Sequence, residues 1–101
     1  VISTITHSGS TARRVAKFRP RIPIFAFTES RKIRRQLNLV WGVRSVRLDE
    51  LFDTDKSVEL MKNYLKDNGQ VKSGDRVVIA TGIPTAKRGR TNMITVSTIE
   101  E

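Results

Sequence analysis

The stretch Val1-Ile-Ser-Thr-Ile-Thr-His-Ser-Gly-Ser-Thr-Ala-Arg-Arg-Val-Ala16 decides how this chain is read. Val1 to Thr6 is a β-branched run, the composition of a buried strand. Ser8-Gly9-Ser10 breaks it, because the glycine adopts backbone angles that other residues avoid. Ala12, Val15 and Ala16 then recur at i, i+3 and i+4, the spacing of a helix packed along one face. A strand, a hydroxyl-rich turn and a helix start aim backbone N–H groups at one point, where the helix dipole adds positive potential. An anion, above all a phosphate, would be held there by those amides and by the hydroxyls of Thr6, Ser8, Ser10 and Thr11. The plainer alternative is that Ser8 or Ser10 caps the helix. The turn is neither a dinucleotide fingerprint nor a Walker A loop, which need more glycines or a Gly-Lys pair.

The chain has 101 residues, enough for a single domain with its own core, and its apolar fraction of 38% is grouped into short runs. With no cysteine, neither a disulfide nor a thiolate metal site can form. No apolar run reaches the length of a membrane span, and the start lacks the basic-then-apolar order of a signal peptide. A cytoplasmic domain with no membrane partner is therefore expected. Because the sequence begins inside a strand and without methionine, it reads as part of a longer polypeptide. The net charge of +9 is uneven: residues 1–50 hold 11 Lys and Arg against 3 Asp and Glu, residues 51–101 hold 8 against 7. A basic half of this kind attracts phosphates, whether on nucleic acid, membrane or metabolite, unless it is only a solvated face.

Arg19-Pro20-Arg21 ends the first helix, since proline disfavours helix at the residue before it. Ile22 to Phe27 is a second apolar strand, with Pro23 at its start where no ladder donor is needed. A second helix follows Thr28-Glu29-Ser30, its apolar stripe at Ile33, Leu37, Val40 and Trp41, its other face carrying Arg31, Lys32, Arg34 and Arg35. Gly42 stops it. Val43 to Leu48 is a third strand. After an acidic loop, Asp49 to Asp55, a third helix carries Val58, Met61 and Leu65, flanked by Leu60 and Tyr64, and closes at Asn68-Gly69. Arg76 to Ala80 is the fourth strand, Thr81 to Asn92 a basic loop with two glycines, and Met93 to Ile99 an alternating edge strand with one solvated face.

This β-α-β-α-β-α-β-loop-β order predicts an α/β fold: a doubly wound five-stranded sheet in the order 3-2-1-4-5, with helices on both faces. Four strands run parallel and the last is an antiparallel edge strand. The switch point lies between strands one and four, where ligands favour the crevice at the carboxyl ends. Thr6–Thr11 follows strand one and Thr81–Asn92 follows strand four, so the hydroxyl turn and the basic loop converge on one pocket. No catalytic constellation is found. His7, the only histidine, has no cysteine, second histidine or motif-placed acid beside it, and at a phosphate turn it would at most help bind the anion.

Thr6-His-Ser-Gly-Ser-Thr-Ala-Arg13, Lys17-Phe-Arg-Pro20 and Ile22-Pro-Ile-Phe-Ala-Phe-Thr28 together resemble the start of the pyruvate kinase C-terminal domain. Arg35-Gln-Leu-Asn-Leu-Val-Trp-Gly-Val43 is similar to its next helix. Gly74-Asp-Arg-Val-Val78, Gly82-Ile-Pro84 and Gly89-Arg-Thr-Asn92 resemble its last strands and the loop between them. The resemblance spans residues 1–101 as one domain. It implies a regulatory and tetramer-interface domain of an enzyme that moves a phosphoryl group from phosphoenolpyruvate to ADP with magnesium and potassium. Catalysis and both metals would belong to a barrel that lies outside this chain, which alone would be inactive and hold no cofactor. By position, Thr6, His7, Ser8, Gly9, Ser10 and Thr11 match the loop that cradles an effector phosphate. Lys87, Arg88, Gly89, Arg90, Thr91 and Asn92 match the loop that folds over the effector. Members that bind fructose 1,6-bisphosphate place a tryptophan and an arginine near the acidic loop, and Leu51 to Leu60 has neither. A monophosphate, either a sugar phosphate or AMP, is therefore expected, with a domain kept only for assembly as the alternative.

The rival from another class is a nucleic-acid-binding module on the face of Arg13, Arg14, Arg31, Lys32, Arg34 and Arg35. It needs stacking aromatics among the charges. Phe18, Phe25, Phe27, Trp41, Phe52 and Tyr64 fall mostly at positions read as core-facing, so this reading ranks below the first.

Overall fold

The structure is a computed structural model that describes residues 1–6, 8–48, 54–81 and 93–99. In chain order the elements are β1 (Ile2–Ile5), α1 (Ser10–Ala16), β2 (Ile24–Thr28), α2 (Arg31–Leu37), β3 (Val43–Arg47), α3 (Thr54–Asp67), β4 (Arg76–Thr81) and β5 (Met93–Thr98). The strands form one sheet in the order β3-β2-β1-β4-β5. β1 pairs in parallel with both β2 and β4, β2 in parallel with β3, and β4 antiparallel with β5. The predicted 3-2-1-4-5 topology is the one observed.

Alternation along the strands sorts the core into two layers. Under α3 the side chains are large: Phe25, Phe27, Ile5, Val77 and Ile79 pack against Met61 and Leu65 of the helix. The edge of the Tyr64 ring meets Phe27 at 5.6 Å between centroids. Beneath α1 and α2 they are small, with Ala12, Ala16 and Ala26 around Ile24, Leu37 and Val43. Ala12 and Ala16, the buried residues of α1, let this seven-residue helix lie close to the sheet.

Three details differ from the sequence reading. α2 stops at Leu37, before the Val40 and Trp41 that its periodicity includes; Asn38 is its C-cap. The Ser45 hydroxyl on β3 lies 2.7 Å from the Arg34 carbonyl and 2.6 Å from Asn38 Oδ1, so hydrogen bonding to the neighbouring strand holds the helix end. The chain then turns to Gly42, whose φ of 74° fits the left-handed conformation expected of it. Val40 still packs on the core, but Trp41 is 50% exposed. Phe18, read with the core aromatics, is 87% exposed. In β5 both faces meet solvent: Thr95 is exposed on the α3 side and Ile94, Val96 and Thr98 on the other, where α1 and α2 pack on the inner strands and stop short of the edge.

Candidate functional site

β1, β2, β3 and β4 run parallel, so Ile5, Thr28, Arg47 and Thr81 all end at one edge of the sheet. β1 sits at its centre; the chain builds β2 and β3 on one side of it and then crosses back through α3 to place β4 on the other. A ligand at this switch point meets strand ends and helix starts on both sides.

Two βα turns lie next to each other here, and both begin Thr-x-Ser. After β2, Thr28 Oγ1 accepts from the Ser30 amide at 3.2 Å, and Ser30 Oγ accepts from the Ile33 amide at 3.2 Å. Ser30 is thus an N-cap with its side chain on the helix. After β1, Thr6 Oγ1 accepts from the Gly9 amide at 2.9 Å, and the Thr6 amide extends the ladder to the Phe27 carbonyl. Ser8 Oγ accepts from the Ser10 amide at 3.3 Å. This turn is longer: Gly9 is the N-cap, left-handed at φ 85°, and has no side chain to bond the start of α1 as Ser30 does for α2.

The glycine is required twice over. At that φ a side chain is strained, and a Cβ would stand 3.0 Å from Leu37 Cδ2 and 3.3 Å from Ile33 Cγ2. The turn is therefore clamped against α2 while its outer hydroxyls face water. Thr6 is buried and Ser8 and Ser10 are exposed, with Thr11 half-buried. Neither serine caps α1 through the N-cap position, which differs from the simple capping alternative. Two amides expected to face an anion, those of Gly9 and Ser10, already have hydroxyl partners. The hydroxyl protons of Thr6 and Ser8 stay available for donation, since each oxygen is engaged as an acceptor. The sequence reading missed this exchange of roles, because it depends on side-chain rotamers.

His7 and the loop residues Lys87, Arg88, Gly89, Arg90, Thr91 and Asn92 lie outside the described residues. So does the acidic stretch from Asp49 to Asp53. Among the described residues no group of three or more His, Cys, Asp or Glu is placed to hold a metal ion. None of their helices is long and apolar enough to cross a membrane.

Comparison with known proteins bears on the same residues. The family model described as "Pyruvate kinase, alpha/beta domain" matches residues 1–97. A pyruvate kinase of Clostridium acetobutylicum is 41% identical over 99 residues, covering 98% of this chain and 21% of that protein. The pyruvate kinase of Geobacillus stearothermophilus is 39% identical over 100 residues, 99% of this chain and 17% of its own length. Among solved structures, a pyruvate kinase from Cryptosporidium parvum superposes with a TM-score of 0.84 at 24% identity, over 97% of this chain and 19% of that one. The chain thus spans about a fifth of the length of these relatives. A profile match over nearly the whole chain and relatives near 40% identity place it in a family: the chain belongs to the pyruvate kinase alpha/beta domain family.

Proposed function

We propose that this domain binds the phosphate of a monophosphorylated effector on the turn Thr6–Thr11 and serves as the regulatory and subunit-contact part of a pyruvate kinase. The observation that supports it best is the glycine N-cap of α1 at the switch point, beside exposed serine hydroxyls. The neighbouring turn spends its serine on capping; this one inserts a left-handed glycine and leaves Ser8 and Ser10 exposed. No acidic residue stands in the first turn of α1 to oppose an anion at that end of the helix. In this reading Thr6 positions the turn, while Ser8, Ser10 and Thr11 donate to phosphate oxygens. His7 and the loop Lys87–Asn92 would complete the pocket.

In the parent enzyme the reaction is phosphoryl transfer from phosphoenolpyruvate to ADP with magnesium and potassium. No step of that reaction is assigned to the described residues. The chain by itself is expected to read background in a coupled assay with both substrates; turnover that follows the purified chain would contradict this. Subunit contact is proposed for the β5 edge, where a strand that among the described residues pairs only with β4 carries exposed Ile94 and Val96. Weak self-association in sedimentation at high concentration is expected, and a strict monomer into the millimolar range would count against it. The effector reading is tested by calorimetric titration with AMP and with a sugar monophosphate: saturable binding of one of them is expected, and no heat from either overturns it.

A further inference from the structure

The opposite edge of the sheet, at the amino ends of β2 and β3, carries a second arrangement that phosphate binding at Thr6–Thr11 does not use. Arg19 is the only described non-glycine residue with positive φ, 45°, a conformation disfavoured for a side chain and doubly so before proline. That turn sets its guanidinium over Trp41, 4.9 Å from the ring centroid. With Arg19 stacked on it, half of Trp41 is still open to solvent. Beside the ring lies a cleft of about 390 Å³ lined by Pro20, Arg21, Ile22, Pro23, Trp41 and Arg44. Arg44 is braced there by a hydrogen bond to Gln70 Oε1 and by the Phe25 ring. Phe18, next to Arg19, is almost fully exposed. Charge completes the picture: between Val1 and Leu48 the sequence holds 11 Lys and Arg and one acid, Glu29.

Exposed aromatic rings set among guanidinium groups are what splayed bases and a phosphate backbone require together. We propose that this edge binds single-stranded nucleic acid, with a base stacked in the cleft on Trp41 and the flanking phosphates on Arg21 and Arg44. Phe18 offers a second stacking surface along the strand. A duplex keeps its base faces covered and has no use for either ring. The site is at the far end of the sheet from Ser8 and Thr11, so the two binding activities are separable.

Trp41 is the only tryptophan, so its fluorescence reports the cleft directly. Titration with oligouridylate of about 12 nucleotides at roughly 150 mM salt should quench it saturably. Duplex RNA of equal length and inorganic polyphosphate should not. Measured with a labelled strand, Trp41→Ala should weaken binding by at least about tenfold. Trp41→Phe should retain most of the affinity, and Phe18→Ser, at a position where folding is not at stake, should cost about threefold. Ser8→Ala with Thr11→Ala should leave it unchanged. Equal binding of strand, duplex and polyphosphate would overturn the proposal. So would indifference of strand binding to both Trp41→Ala and Phe18→Ser, or no binding up to roughly 100 μM strand.

Discussion

The two βα turns at the carboxyl edge start alike, Thr6-His-Ser8 and Thr28-Glu-Ser30, and then diverge. In each, the threonine at the strand's end takes a turn amide onto its hydroxyl. In the second turn the serine goes on to cap its helix as the N-cap residue, through the Ile33 amide. In the first, one inserted glycine rotates the chain through a left-handed conformation and takes the N-cap position, so no N-cap side chain bonds α1. One turn closes a helix; the other holds hydroxyls in place and leaves them facing out. The lesson is that a single left-handed glycine is enough to turn a helix-capping turn into one whose serines stay exposed.

Removing that residue should have the largest effect. Gly9→Val puts a β-branched side chain at φ 85° and drives its Cβ toward Leu37. Left-handed strain and overpacking together should cost about 2–4 kcal/mol, read as a lower midpoint in urea denaturation. A loss under about 0.5 kcal/mol would show that the turn is not clamped. Next comes the binding half of the comparison. Ser8→Ala with Thr11→Ala removes two donors that would each contribute roughly 1.5–3 kcal/mol to a phosphate, so monophosphate affinity should fall at least about tenfold. Ser30→Ala, the matching change in the other turn, should cost about 1 kcal/mol of stability and leave affinity within about twofold. The smallest effect is expected from Arg34→Ala on the exposed face of α2, a screened charge that should alter affinity by less than about twofold.

Much of this was readable in the residues. The alternation of β-branched runs with i, i+3, i+4 patterns was enough for the strand order, because right-handed crossovers leave few alternatives. The position of Thr6–Thr11 at the switch point followed from it. Other features depend on contacts between distant segments. Val40 and Trp41 fit the stripe of α2, yet the helix ends early where Ser45, on another strand, meets the Arg34 carbonyl. Periodicity likewise identifies the two faces of β5 without saying which face has a helix over it, and Ile94 and Val96 lie where none reaches. The exposure of Phe18 and Trp41 has the same origin: both follow helix ends, where the chain leaves the packed layer. The partners of the Gly9 and Ser10 amides are set by rotamers, which no sequence pattern encodes.

The central claim is that the first turn binds and the second only caps. Calorimetric titration of AMP and of a sugar monophosphate into the parent chain, the Ser8→Ala/Thr11→Ala variant and the Ser30→Ala variant tests it most directly. The account predicts at least about a tenfold loss for the first variant and an unchanged constant for the second. Equal losses in both, or none in the first, would contradict it.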